Sequence, residues 1–275
     1  MMEFKVRDFA PGDRSLVEKW VARLPEHLFK YRTLSGLGSV RLATLIGESI
    51  LHFPTYAELN DPFDSNFSFD FAAPADVLEA YWRRALPDDL SNREAAIRLA
   101  IESSSNAERM ANGSTAVRDL MSKFGVYCLT AKPDDILMWS YYAEGHAGVC
   151  LRFRSEGLFD SYCRDGVGML VPVEYVPGYQ IVPYFTSSVV GLVHAGIGTK
   201  AVAWKHEAEW RVVKPKASGL LRFERAALDG IILGCRISAE DERLVRGLAG
   251  QREAPIPVMK ASKKESEYGI QIDGP

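Results

Sequence analysis

The stretch Pro74–Lys123 constrains the fold most, because it reads as helix while the segments on both sides of it read as short strands. Ala75–Ala85, Arg93–Met110 and Ser114–Lys123 are rich in Ala, Leu, Glu and Arg, the residues that lose least on entering a helix, and Ser103–Asn106 is a candidate break. Before this stretch, Leu28–Leu34 and Ile50–Phe53 suit strands. After it come Phe124–Thr130, Gly148–Phe153, Leu170–Tyr175, Trp210–Val213, Gly230–Leu233, Ile256–Met259 and Tyr268–Ile272. Further helices are expected at Asp13–Leu24, with Asp13 or Ser15 as cap, and at Val40–Ile46, Ile136–Glu144 and Ala239–Gly250. Strands and helices do not alternate regularly, which argues against a doubly wound sheet. The expectation is α+β: a mixed, mostly antiparallel sheet with a helical insert or lid at 74–123, all in one domain over 275 residues.

Hydrophobic residues make up 47% and charged residues 25%, enough apolar material for a substantial core. A formal net charge of −3 supplies no global attraction to polyanions, so nucleic-acid binding is neither required nor excluded. Met1–Arg14 mixes acids and bases without the apolar run of a secretory signal, and no segment approaches the roughly 20 apolar residues that cross a bilayer. No membrane is expected, and the cytoplasm is the default compartment. Cys128, Cys150, Cys163 and Cys235 lack a CxxC spacing and read as buried free thiols.

Four segments carry candidate chemistry. In Met138–Phe153, Met138, Tyr142 and His146 share a helical stripe if the helix extends that far, with Gly145 as its natural end, and Trp139 lies on the adjacent stripe. These aromatics either pack on a sheet or offer Trp139 and Tyr142 as stacking platforms for a flat ring, with His146 on a polar group. In Trp204–Arg211, a chain extended from Trp204 to Val213 would put Glu207 and Glu209 on one face, roughly 7 Å apart. That face is either a catalytic pair or a solvated edge with Arg211 neutralising one acid. In Leu59–Asp64, Asp61 is a candidate cap for a helix starting at Pro62. Lys30, Tyr31 and Arg32 offer cations for acids or phosphate, arginine being the better fork for phosphate oxygens. The sequence has no glycine-rich phosphate loop, no HExxH and no GxSxG.

The order of these segments, Lys30-Tyr31-Arg32, LNDPFD, MWSYYAEGHAGVCLRF and WKHEAEWR, resembles the DUF2971 family, whose name records that no function is assigned to it. Cys128-Leu129-Thr130 stands where that family usually has Ser-Leu-Ser. More distantly, Arg32, Thr130 and Glu207-Ala208-Glu209 resemble the Arg, Ser/Thr, Glu-x-Glu arrangement of the ADP-ribosyltransferase superfamily. That resemblance implies an enzyme using NAD. Tyr31 and Arg32 would hold the cofactor with Trp139, Tyr142 and His146, Thr130 would orient the site, Glu209 would stabilise the ribosyl cation and Glu207 would position a protein or nucleic-acid acceptor. Two alternatives stand beside it. One is a metal-dependent nuclease or phosphodiesterase using Asp61, Asp64, Glu207, Glu209 and His146. The other is a non-catalytic nucleotide- or partner-binding protein in bacterial defence.

Overall fold

The structure, a computed structural model, describes residues 14–105 and 107–274. The expected cap Asp13 lies outside them. Among the described residues the strands in chain order are β1 (His27–Arg32), β2 (Ile50–Phe53), β3 (Phe67–Asp70), β4 (Gly125–Thr130), β5 (Val149–Arg154), β6 (Met169–Pro172), β7 (Glu174–Val176), β8 (Gln180–Pro183), β9 (Thr199–Ala201), β10 (Glu209–Lys214), β11 (Gly219–Arg222), β12 (Leu228–Leu233), β13 (Val258–Lys263) and β14 (Ile270–Asp273). The α-helices are α1 (Arg14–Val21), α2 (Gly38–Glu48), α3 (Ala75–Ala85), α4 (Arg93–Glu102), α5 (Ala107–Met121), α6 (Ile136–Tyr142), α7 (Ser155–Tyr162), α8 (Val189–Ile197) and α9 (Ala239–Gly250).

The central sheet has eight strands in the order β14-β13-β12-β5-β1-β4-β10-β6. Its pairs are antiparallel except β12 with β13, so the fold is α+β with a mostly antiparallel mixed sheet. Alternation along the strands sorts side chains to two faces. Leu28, Tyr127, Leu129, Leu151, Phe153, Val212 and Ile231 join one core with Leu42, Leu45 and Ile46 of α2, Leu158 and Phe159 of α7, and Val245 of α9. On the opposite face Phe29, Tyr31, Cys150 and Ile232 pack with Met138 and Trp139 of α6, and Val126 and Val213 pack with Met121 of α5 and Ile197 of α8. Helices therefore cover both faces. All four cysteines are free, with Cys150 and Cys163 buried.

The stretch expected to be helical contains α3, α4 and α5, with the serine break as a 3-10 turn at Ser103–Ser105. It is tied to the β3–β8 side of the molecule: Arg118 donates to the Phe67 carbonyl at 2.8 Å and Tyr81 meets Phe185 edge-on at 5.1 Å. The strand expected at Leu170–Tyr175 is two strands. Pro172 ends β6 on β10, and the chain then changes partner to pair β7 with β9.

β1 pairs with β5 over six residues and β4 with β10 over six, but β1 and β4 meet at a single register position, Phe29 with Thr130. Beyond that bridge the two strands part.

Candidate functional site

The gap between β1 and β4 opens into a cavity of about 820 Å³. Lys30, Tyr31 and Arg32 line it from β1, Tyr127, Cys128 and Thr130 from β4, and Tyr142, Asn60, Asp64, Lys200, Glu207 and Glu209 from elsewhere. None of residues 74–123 lines it. Trp139 and His146 are absent from its walls as well.

The Glu-Ala-Glu segment reaches the cavity by a route the extended reading did not foresee. Val202–Glu207 is a 3-10 helix, Ala208 takes a left-handed conformation at φ 43°, and β10 begins at Glu209. A left-handed residue with a Cβ costs roughly 1–2 kcal/mol, so the turn needs bracing. Thr130 supplies it: its hydroxyl donates to the Glu207 carbonyl at 2.5 Å and accepts from the Lys132 amide, while the Ala131 amide donates to the Ala208 carbonyl at 3.1 Å. The turn brings both carboxylates onto one ammonium. Lys200 Nζ donates to Glu207 Oε2 at 2.5 Å and to Glu209 Oε2 at 3.0 Å.

Behind them lies Arg211, fully buried between β4 and β6 in the sheet order and not on a solvated edge. Its Nε donates to Glu209 Oε1 at 2.8 Å, and its terminal nitrogens reach Asp64 Oδ1 at 3.1 Å, Asp64 Oδ2 at 2.6 Å, Glu209 Oε2 at 3.1 Å and the Ile197 carbonyl at 2.6 Å. Three carboxylates, Asp64, Glu207 and Glu209, thus face two cations, Lys200 and Arg211, leaving one formal negative charge beside the cavity. Burial pushes the Glu209 carboxyl upward, but the attraction and hydrogen bonds of Arg211, and then Lys200, outweigh it and bring it down to about 2. Such a depressed carboxyl stabilises the fold above its ordinary value of 4.5 and loses that contribution as pH falls toward 2. The urea midpoint is expected to drop over that window by an amount worth at most about 3 kcal/mol, and Glu209→Gln to flatten the drop. A wild-type midpoint unchanged between pH 5 and pH 2 would contradict this.

Tyr142 joins three of the four segments. Its hydroxyl donates to Glu207 Oε1 at 2.7 Å and accepts from Asn60 Nδ2 at 3.2 Å. Burial, followed by the Glu207 acceptor, raises the phenol further above its ordinary range. Asp61 does not cap a helix, because residues 62–65 form a turn; its Oδ1 accepts from the Phe63 amide at 2.9 Å, and the loop delivers Asp64 to Arg211.

Trp139 lies on the core side of α6, and half-buried His146 follows the helix. The helix stops at Tyr142, and Glu144, Gly145 and His146 all have positive φ, so the chain folds back. The indole is fully buried, donates to the Pro133 carbonyl at 2.9 Å and meets Tyr31 edge-on. His146 stacks on it at 6.3 Å and shares a hydrogen bond with Ser140. Burial, then Arg236 and Lys263, lowers the imidazole's pKa. Tyr31 lines the cavity but spends its hydroxyl on the Lys132 carbonyl.

Across the gap, Arg32 and Lys30 both lie over one aromatic neighbour, 5.8 Å and 5.1 Å from the Tyr127 ring centre. Lys200 was not singled out in the sequence, although it is the lone charge between Ala195 and Trp204 and a charge in an apolar run needs a partner. Among the described residues no group of three or more His, Cys, Asp or Glu side chains is placed to hold a metal ion. No helix among them is long and apolar enough to cross a membrane. Comparison with protein-family models, with curated proteins and with solved structures returns no match.

Proposed function

We propose that the cavity binds NAD and that the chain is an ADP-ribosyltransferase-type enzyme of the DUF2971 kind. The observation that carries this reading is convergence. Arg32, Thr130 and the Glu207–Glu209 pair, distant in sequence, line one cavity from three elements at the consecutive strands β1, β4 and β10. Its volume, about 820 Å³, suits a ligand of dinucleotide size.

The two sides of the gap differ in charge, as such a ligand requires. Arg32, whose guanidinium makes one hydrogen bond among the described residues, a long one of 3.5 Å to the Tyr127 hydroxyl, has a fork available for a diphosphate. On the β10 side of the gap, the acidic cluster retains one negative charge. In this reading Glu209, held ionised by Arg211, faces the ribosyl carbon. It stabilises the positive charge that develops as nicotinamide leaves, charge present only near the transition state. Glu207, fixed by Tyr142, positions the acceptor. Thr130 acts through the backbone turn it braces.

The metal-dependent reading gains no support, since Asp64, Glu207 and Glu209 are turned to Lys200 and Arg211 and Asp61 to the Phe63 amide. Isothermal titration with NAD and chromatographic assay of released nicotinamide test the proposal. Arg32→Ala is expected to weaken NAD binding about 10- to 100-fold, the loss of charge-assisted hydrogen bonds, with little change in melting temperature. NAD binding without nicotinamide release would favour a nucleotide sensor. No NAD binding by the wild-type chain would remove the proposal.

A further inference from the structure

We propose that Lys30 is a covalent site whose ε-amine condenses with the carbonyl of an aldehyde or ketone that also carries a phosphate. This does not rest on NAD as the cavity's ligand. Two lysines line the cavity, and their surroundings are opposite. Lys200 is gripped by Glu207 and Glu209, which keep it protonated and without a free electron pair. Lys30 has no carboxylate or carbonyl within hydrogen-bonding distance among the described residues, and its contact is with the face of Tyr127 at 5.1 Å. Its place on β1, paired residue for residue with β5, fixes the backbone from which the amine projects.

An amine attacks a carbonyl only as the neutral base. Burial first, and the neighbouring Arg32 second, bring Lys30 down to about 8, so a sizeable share is neutral near physiological pH. The condensation balances internally. The nitrogen lone pair forms a C–N bond, the carbinolamine loses its hydroxyl, and the carbonyl oxygen leaves as water carrying both amine protons. Arg32 stands two residues along the strand with most of its guanidinium donors unused, and it is the phosphate's partner.

Pyridoxal 5′-phosphate is the probe: incubation with the full chain, reduction with borohydride, proteolysis and mass mapping. One pyridoxyl group is expected, on the peptide containing Lys30, with labelling that rises between pH 7 and pH 8. Arg32→Ala is expected to lower the labelling about tenfold. Lys30→Arg should remove that label while leaving the melting temperature close to wild type. Mapping the wild-type chain needs no variant to fold. Label spread over surface lysines with no preference for Lys30, or an unlabelled chain, overturns the proposal.

Discussion

Arg211→Met is expected to lower the stability of the fold by about 3–5 kcal/mol, measured as a shift of the urea unfolding curve at pH 7. A guanidinium has five N–H donors, and in Arg211 all five are used: one from Nε to Glu209, two from Nη1 to Asp64 and the Ile197 carbonyl, two from Nη2 to Asp64 and Glu209. Its side chain is wholly buried, with those of Asp64 and Glu209 nearly so at 3% and 4% exposure. Removing the cation leaves two nearly buried carboxylates without their main partner, and their desolvation becomes the dominant loss. Arg211→Lys keeps the charge but offers three donors from a point centre, so a smaller loss of about 1–3 kcal/mol is expected. Adding Asp64→Asn and Glu209→Gln to Arg211→Met should restore part of the stability, because the orphaned charges are then gone. A loss under about 1 kcal/mol in Arg211→Met would mean that the cluster is hydrated.

This network also changes what the Glu-Ala-Glu segment can tell an experimenter. Glu209→Gln removes a carboxylate that holds Arg211 and Lys200, so lost turnover in that variant could report a loosened core. Among the described residues Arg32 is in no ion pair and contacts only the Tyr127 side chain through its guanidinium, which makes it the cleaner position for testing the ligand.

What the sequence disclosed depended on how local each cause was. α9 at Ala239–Gly250 and β2 at Ile50–Phe53 have the bounds read from periodicity, since amphipathic pattern and turn residues determine them locally. α8 was invisible because its sequence, VVGLVHAGI, is apolar but for His194 and contains two glycines, leaving no polar stripe to read. The extended reading of Trp204–Val213 failed at Ala208, whose left-handed backbone is stabilised by Thr130 and Ala131, residues remote in the chain. The gap between β1 and β4 has no sequence signal at all, because it is a register choice shared by two strands. Lys200 was legible in principle, as a single charge in an apolar run.

Trp139→Ala is the second large effect, an expected loss of about 3–5 kcal/mol. The indole is fully buried, with Tyr31 at 5.1 Å and 84° on one side and His146 stacked at 6.3 Å and 12° on another. Truncation leaves a void among side chains held by a strand and a folded-back loop, and it orphans the Pro133 carbonyl. Trp139→Phe refills most of the volume and should cost about 1–3 kcal/mol, chiefly the lost indole N–H. The pair of variants separates two roles for an aromatic residue that its sequence context leaves open. A tryptophan that stacks on a bound ring would, as phenylalanine, lower ligand affinity while the unfolding curve stayed in place. A tryptophan that supports the wall from behind does the reverse: the curve moves, and the affinity of the folded protein for NAD stays within about twofold. Since Trp139 is absent from the cavity lining while its neighbours Met138 and Tyr142 are present, the second pattern is expected.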